Sequence, residues 1–184
     1  MSLLEPSTFL VRAVLKFTQG KVVIHPHHGP ATVAKVAPRK VRGEKTTYLT
    51  LTTHEGDLSV SVPADRAEEI GLRRVMDLAG AHEVFEELMG ESGPYNRIWS
   101  RRFRDYTQRA NSGDILTIAG LVRDLIRRNE EKRISYGEMG VLKQALNMLT
   151  AELSLSLEQD AEEVTAMVEA AVLEGENFEL PVAA

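Results

Sequence analysis

The sequence predicts an α+β fold in which a small β-barrel precedes a compact all-α domain. Two observations support this prediction. Between residues 21 and 62, apolar side chains alternate with a period of two, which is typical of β-strands. From residue 77 onward they recur every three or four residues, which is typical of amphipathic helices. With 184 residues, the chain is long enough for two such domains, each with its own core.

Short strands separated by turns fill the first part of the chain. We assign them to residues 21–25, 31–37, 46–53 and 58–62, with a polar, basic connector over residues 39–45. The turn His54-Glu-Gly-Asp57 places a glycine where a hairpin needs a positive φ. One face of the last two strands is apolar and consists of Leu49, Leu51, Leu58, Val60 and Val62. Four or five such strands predict a barrel of SH3 or Tudor type, a binding module whose exposed strand edge can accept a partner's strand.

About five helices joined by short loops are predicted for the rest of the chain. They begin at Asp77, after Pro94, at Asp114, at Ser135 and after Ser156. Ser135-Tyr-Gly-Glu138 is a capping box, and Ser156-Leu-Glu-Gln159 is expected to cap the last helix. The inward residues of the fourth helix are predicted to be Met139, Leu142, Leu146, Leu149 and Leu153. We divide the chain into an extension of unknown role (1–16), the barrel (17–70), the helical domain (71–176) and a tail (177–184).

The net charge of −5 is distributed unevenly along the chain. From Arg97 to Arg133 there are ten basic and five acidic residues, whereas no lysine or arginine follows Lys143. Because salt screens each charge beyond ~8 Å, the local patch decides which partner can bind. A basic middle that suits nucleic acid and an acidic tail can therefore coexist as separate surfaces.

Composition also excludes several classes of protein. The chain has no cysteine, which excludes a disulfide framework, a thiolate nucleophile and a cysteine-based zinc site. Glu5 and Arg12 interrupt the apolar content of the first sixteen residues, which make a poor signal peptide and are too few to span a bilayer. We therefore expect a cytoplasmic protein that does not bind membranes.

The stretch Tyr95–Arg104 contains the only tryptophan, Trp99, and the arginines Arg97, Arg101, Arg102 and Arg104. Trp99, Phe103, Tyr106 and Ala110 share one helix face, and this spacing alone favours a buried tryptophan. However, Trp99 lies in the first turn, where a side chain can project past the packed face. An apolar wedge ringed by arginines is also how minor-groove proteins open a base step. The sequence leaves both interpretations open.

Three further arginines, Arg123, Arg127 and Arg128, lie on the polar side of the next helix. They are either a solvated face or part of a phosphate-binding surface shared with the tryptophan helix. His25, His27 and His28 lie in a tight turn, and without further ligands we interpret them as turn residues rather than a metal site.

Catalytic motifs are missing from the sequence. It has no glycine-rich phosphate loop after a strand and no GxSxG motif, and Ser59 and Ser61 have no evident base. We expect a protein that is not an enzyme and that needs no cofactor.

Short motifs run in order through both predicted domains. The barrel contains Phe17-Thr-Gln-Gly-Lys-Val-Val-Ile-His-Pro-His-His-Gly29, Gly43-Glu44, Tyr48-Leu49, Gly56-Asp-Leu58 and Val62-Pro63. The helical domain contains Trp99-Ser-Arg-Arg102, Ser112-Gly-Asp114, Val122-Arg-Asp-Leu125 and Arg127-Arg128. With these motifs, the chain resembles the CarD/CdnL family of bacterial transcription regulators from about Phe17 to about Leu155.

The resemblance implies a Tudor-like domain that binds the β subunit of RNA polymerase, related to the polymerase-binding domain of the transcription-repair coupling factor. It also implies a helical domain that touches promoter DNA at the upstream edge of the transcription bubble. Trp99 would wedge into the splayed minor groove and hinder bubble closure. The expected DNA-binding residues are Arg97, Trp99, Arg101, Arg102, Arg104, Arg127 and Arg128, and the expected polymerase-binding residues are Arg39, Ser59 and Ser61.

The chain departs from the family pattern at a few positions. Ser61 stands where some relatives use a second basic residue against polymerase, and Met139 and Gly140 stand where relatives can carry lysine or arginine for DNA. The expected function is a transcription regulator, monomeric and nucleoid-associated, that stabilises the open complex with low sequence specificity. The alternative is an adaptor that binds polymerase through the barrel, packs Trp99 internally and makes no DNA contact.

Overall fold

The computed structural model describes residues 17–41, 44–54, 56 and 58–180. They divide into two compact units, one ending at Val75 and the other beginning at Met76. The first unit is a five-stranded sheet and the second contains five helices, which confirms the predicted α+β class.

The sheet of the first unit is antiparallel throughout. Its strands are β1 (Val22–His25), β2 (Gly29–Val41), β3 (Glu44–Thr53), β4 (Ser59–Pro63) and β5 (Arg73–Arg74). Their order is β4-β3-β2-β1-β5, so that β4 and β5 lie at its edges. A short 3-10 turn, Ala64–Arg66, follows β4. Because each strand pairs with its neighbour in the chain except at β5, the short turns of the sequence set nearly the whole topology.

Alternating side chains build the core of the sheet. Leu49 and Leu51 of β3 are fully buried, and the register places Val62 opposite Leu49 and Val33 opposite Leu51. Paired residues lie on the same face of a sheet, so these four side chains meet on one side. The buried cluster consists of Phe17, Val23, Ala31, Val33, Leu49, Leu51, Val62, Ala64, Ala67 and Leu72.

The strands are longer than the sequence predicted. Residues 39–41 and 44–45, which were assigned to a connector, extend β2 and β3 and pair across the hairpin. A bulge between Val33 and Lys35 inserts one extra residue into β2, which hides the period of two from a sequence pattern. Gly56 has a φ of +75°, as the predicted hairpin turn requires. Leu58 does not join the core, because it precedes β4 and is 49% exposed.

The helices of the second unit are α1 (Leu78–Met89), α2 (Trp99–Ala110), α3 (Ile115–Glu131), α4 (Tyr136–Leu157) and α5 (Ala161–Leu173). Side-chain caps mark the starts of all but α2, because Asp77, Asp114, Ser135 and Asp160 each accept a backbone amide proton. The predicted capping box of Ser135 and Glu138 is present in full.

One continuous core joins the five helices. It includes Val84, Phe85 and Leu88 of α1, Tyr106 and Ala110 of α2, Ile118, Val122 and Leu125 of α3, Leu142, Leu149 and Leu153 of α4, and Val164 and Val168 of α5. Phe178, after α5, packs its ring against Phe85 with 5.7 Å between the centroids. The last residues before the end of the described chain therefore belong to this core.

Two expectations for α4 are wrong. Ser156 does not cap a new helix, because α4 continues to Leu157, whose side chain is buried in the core. The chain reverses at Glu158, which has a φ of +55°, and Asp160 caps α5 instead. Met139 is 40% exposed rather than inward. Among the residues that the structure describes, the helices are all too short or too polar to cross a membrane.

Candidate functional site

Trp99 is the first residue of α2, and half of its surface (50%) is exposed. Tyr106 and Ala110, which share its helix face, are each only 2% exposed. The interpretation of Trp99 as a core residue is therefore wrong, because the packed face begins a turn later along the helix. The indole lies nearly parallel to the ring of Phe103, with 5.2 Å between the centroids, and its Nε1 donates to Ser135 Oγ at 3.2 Å.

An apolar groove runs along α2 from Trp99. Its volume is about 500 Å³, and its lining residues are Trp99, Ser100, Phe103, Arg104, Thr107, Gln108 and Asn111. Tyr95 and Ile98, which precede the helix, are 54% and 52% exposed. Large apolar side chains are rarely left open together on a soluble protein, and such a surface indicates a binding site.

Cationic side chains border this apolar surface. Arg97, Arg101 and Arg104 are exposed, and Arg104 also lines the groove with Trp99. Arg101 and Arg104 are three residues apart, so they lie on the same side of α2. Aromatic rings beside guanidinium groups suit a nucleic acid, since rings stack on bases and guanidinium groups pair with phosphates.

Arg102 is the exception among the four arginines, because its side chain is buried. Its Nε donates to Glu138 Oε1 at 2.7 Å, and a terminal nitrogen donates to the carbonyl oxygens of Asn96 and Arg97. The expectation that Arg102 is one of the exposed arginines around Trp99 is corrected by this geometry, since its Nε and one terminal nitrogen donate to groups of the protein itself.

Glu138 stays ionised opposite Arg102. Burial raises the pKa of this carboxyl, but the hydrogen bond from the Ser135 backbone amide and those from Arg102 and the Ser135 hydroxyl outweigh burial and hold the pKa below its ordinary value. An ionised carboxylate accepts from several donors at once, as it does here.

The arginines of α3 contact the protein itself. Arg127 donates to the carbonyl oxygens of Val172 and Gly90, at 2.9 and 2.6 Å, and Arg128 lies over the Tyr95 ring at 4.2 Å. Both are half-buried, so a phosphate contact by either stays a prediction. Arg123 is buried and pairs with Glu87 and Asp124, which decides against its assignment to a solvated face.

In the first unit, the strand register brings Arg39, Ser59 and Ser61 to one face of the sheet. Arg39 pairs with Thr46, Ser61 with Thr50 and Ser59 with Thr52, and these three threonines alternate along β3 on the side away from Leu49 and Leu51. All three predicted residues are exposed, and β4, which carries the serines, is an edge strand.

Lys35 is a member of this surface that sequence reasoning missed. It is exposed and pairs with Thr50, which also pairs with Ser61, so that Lys35 and Ser61 flank the same residue in one cross-strand row. The bulge between Val33 and Lys35 moves Lys35 to this face. The sequence alone does not show that Lys35 lies on this face, because its position depends on the bulge and on the strand register.

The three histidines form the predicted turn. His25 is buried, and its Nδ1 accepts from the backbone amide of His27 at 3.2 Å. Burial, with smaller effects of charge on His28 and His27, lowers the pKa of His25 to about 4. Among the described residues, no three His, Cys, Asp or Glu side chains are grouped so as to hold a metal ion.

Comparison with known proteins gives a match for each unit. Residues 17–76 match the family model of the CarD-like/TRCF RID domain, and residues 83–169 match that of the CarD C-terminal domain. A relative from Bacillus subtilis (strain 168), named "Putative transcription factor YdeB", is 24% identical over 141 residues. The aligned part covers 76% of this chain and 91% of the relative.

Proposed function

The chain belongs to the CarD/CdnL family, whose members are transcription regulators rather than enzymes and whose first domain is related to RNA polymerase interaction. From this membership and the geometry of the site, we propose a specific role for it. The sheet unit binds the β subunit of RNA polymerase, and the helical unit contacts promoter DNA at the upstream edge of the transcription bubble. Trp99 acts there as a wedge that stabilises the open complex. This role places the protein at the nucleoid.

The half-exposed indole of Trp99 is the observation that carries the proposal. It is an open aromatic face backed by Phe103 and bordered by exposed arginines. A base that loses its stacking partner when the duplex opens can stack on this face. Arg97, Arg101 and Arg104 would meet the phosphates that flank the base, and such contacts carry little sequence information.

Binding to polymerase makes a weak DNA contact sufficient. A protein tethered beside the promoter meets the DNA at a high effective concentration, in the millimolar range for short flexible links. Three exposed arginines therefore suffice to orient Trp99, although the chain as a whole is acidic. Selectivity among promoters would follow from how easily each opens rather than from base contacts.

For the polymerase-binding surface we propose the face of the sheet that carries Arg39 and Lys35, together with the edge strand β4. An unpaired edge can take up a strand of the partner through backbone hydrogen bonds. Lys35 supplies a cation in the row where Ser61 stands, so that the surface has two exposed basic residues rather than one. Such charges steer association with an acidic partner.

The adaptor alternative required that Trp99 be packed inside the helical unit. The indole is half-exposed, so this requirement is not met. The DNA-contacting role is therefore the one that the geometry supports best.

One experiment separates the two surfaces. The full chain is immobilised and tested for retention of RNA polymerase, and then added to open complexes to measure their lifetime. Lys35→Glu with Arg39→Glu is expected to lose polymerase and, with it, the effect on lifetime. Trp99→Ala is expected to retain polymerase and to lose only the effect on lifetime. Equal retention of polymerase by all variants would contradict the proposed sheet surface.

A further inference from the structure

We propose that Glu138 and Ser135 are positioning residues that hold the Trp99 indole in one orientation. The inference rests on the proposed function for its consequence at DNA, but its structural content concerns the free protein. It assigns a second task to a capping box, which ordinarily only satisfies the first amide groups of a helix.

Hydrogen bonds connect the indole to Glu138 through Ser135. Trp99 Nε1 donates to Ser135 Oγ at 3.2 Å, and the same oxygen accepts from the Glu138 amide at 3.3 Å. The Ser135 amide in turn donates to Glu138 Oε2 at 2.9 Å. Glu138 therefore holds Ser135 by both its backbone amide and its hydroxyl oxygen, and that same oxygen also accepts from the indole.

The other oxygen of Glu138 holds, through Arg102, the segment that precedes α2. Glu138 Oε1 accepts from Arg102 Nε at 2.7 Å, and Arg102 donates at 2.9 and 3.3 Å to the carbonyl oxygens of Asn96 and Arg97. The guanidinium group also lies 5.9 Å from the Tyr95 ring. One buried carboxylate thus holds both the wedge and the backbone that carries the exposed Arg97.

The indole is also held by packing against one of its faces, in addition to the hydrogen bond at its edge. Phe103 stacks on the indole with an interplanar angle of 11°. Gly137, inside the capping box, lies against Phe103, since a Cβ at this position would be 3.1 Å from Phe103 Cε2. The first turn of α4 therefore supports Trp99 directly through Ser135 and indirectly through Phe103.

A wedge that is already oriented loses less conformational freedom when a base stacks on it. Immobilising a large side chain on binding weakens affinity by roughly two- to tenfold, and pre-organisation avoids that loss. A contribution to folding stability does not by itself explain why Arg102 and Glu138 form a buried ion pair, since such pairs often add little net free energy of folding. Their geometry indicates positioning, because Arg102 bonds to Glu138 through Nε and to the backbone just before Trp99 through one terminal nitrogen.

The test uses Trp99 as its own reporter, because it is the only tryptophan in the chain. Steady-state anisotropy and acrylamide quenching of its fluorescence are measured on the full chain for Glu138→Gln. Glutamine can accept from Arg102, but its amide nitrogen cannot also accept from Ser135. We expect lower anisotropy, faster quenching and a two- to tenfold weaker binding of a forked DNA duplex.

Glu152→Gln is the matched control. Glu152 is also buried in α4, at 1% exposure, and one of its oxygens accepts from the Met76 amide at 3.1 Å. This variant is expected to lower the melting temperature without changing the anisotropy. Ser135→Ala should reproduce the effect of Glu138→Gln on the indole, and Ser135→Thr, which restores a hydroxyl, should reverse it.

The outcomes separate this inference from the proposed function. Wild-type anisotropy and quenching in both Glu138→Gln and Ser135→Ala would overturn the positioning role. If Trp99→Ala leaves open complexes unaffected, the proposed function fails, but the anisotropy data still decide whether Glu138 orders the indole. If the indole is freed in Glu138→Gln and DNA binding is unchanged, the positioning role is supported, and the proposed consequence of indole orientation for DNA binding is overturned.

Discussion

Replacement of Trp99 by alanine is expected to shorten the lifetime of the open complex. Half of the surface of Trp99 is exposed in the free protein, and the exposed part is what a base can cover. A tryptophan side chain presents roughly 250 Å², so about 125 Å² is open to stacking. At about 25 cal/mol per Å², complete burial of that area sets an upper limit of about 3 kcal/mol.

Measured stacking of one base on an aromatic side chain gives about 1–3 kcal/mol, which agrees with this limit. If the whole of this free energy stabilises the open state, its loss shortens the lifetime by roughly 5- to 150-fold. Trp99→Phe should fall between wild type and alanine, since a smaller ring covers less of the base.

The assay is the decay of open complexes after a heparin challenge, with each variant at saturating concentration. Leu173→Ala is the matched control, because Leu173 is an equally exposed apolar residue (49%) at the end of α5. It should leave the lifetime unchanged. A lifetime with Trp99→Ala within twofold of wild type, with polymerase binding intact, would refute the wedge.

Further substitutions test the site and the fold. Arg104→Ala should reduce the slope of log affinity for DNA against log salt concentration by about 0.9, which salt titrations of DNA binding measure. Arg102→Ala should leave this slope unchanged. It should instead destabilise the helical unit by about 3 kcal/mol in thermal melts, because it leaves the buried carboxylate of Glu138 without its partner. His25 should titrate near pH 4 by NMR, because burial lowers its pKa from 6.5 to about 4. Its unfolded form takes up a proton first, so its contribution to stability is complete above about pH 6.5 and is lost as the pH falls toward 4; a midpoint near 6.5 would contradict this. Gly140→Ala should raise the free energy of unfolding by about 0.5–1 kcal/mol, because alanine favours a helix and nothing lies within 4 Å of the added Cβ. Gly137→Ala should be about 1 kcal/mol less stable than Gly140→Ala, because its added Cβ would press on the ring of Phe103. Equal stability in denaturant titrations would count against the Gly137 contact.

Local patterns account for most of the fold. The capping box at Ser135 and the acidic caps at Asp77 and Asp114 marked three helix starts, because these signals depend on residues within one turn. The length of β2 was missed because the polar residues Arg39 and Lys40 interrupt the apolar alternation, and the end of α4 was missed because the helix continues past the capping signal at Ser156 to the left-handed residue Glu158. Both boundaries are fixed by tertiary packing rather than by local sequence.

The site was predictable in its residue types but not in its geometry. Arg101 and Arg102 are neighbours of the same chemistry, yet one is exposed and the other is buried against Glu138. That contact, like the one between Trp99 and Ser135, joins residues 36 positions apart. No pattern within one helix reports contacts between helices, so the exposure of Trp99 needed the packed structure.

The most direct measurement of the central claim places 2-aminopurine at the upstream edge of the bubble, in complexes of promoter, polymerase and this protein. The fluorescence of this base is quenched when it stacks. With the wild-type chain, we expect weaker emission at that position than with Trp99→Ala, and no difference for 2-aminopurine in the middle of the bubble. The same emission with both chains at the upstream edge would show that the indole does not receive the melted base.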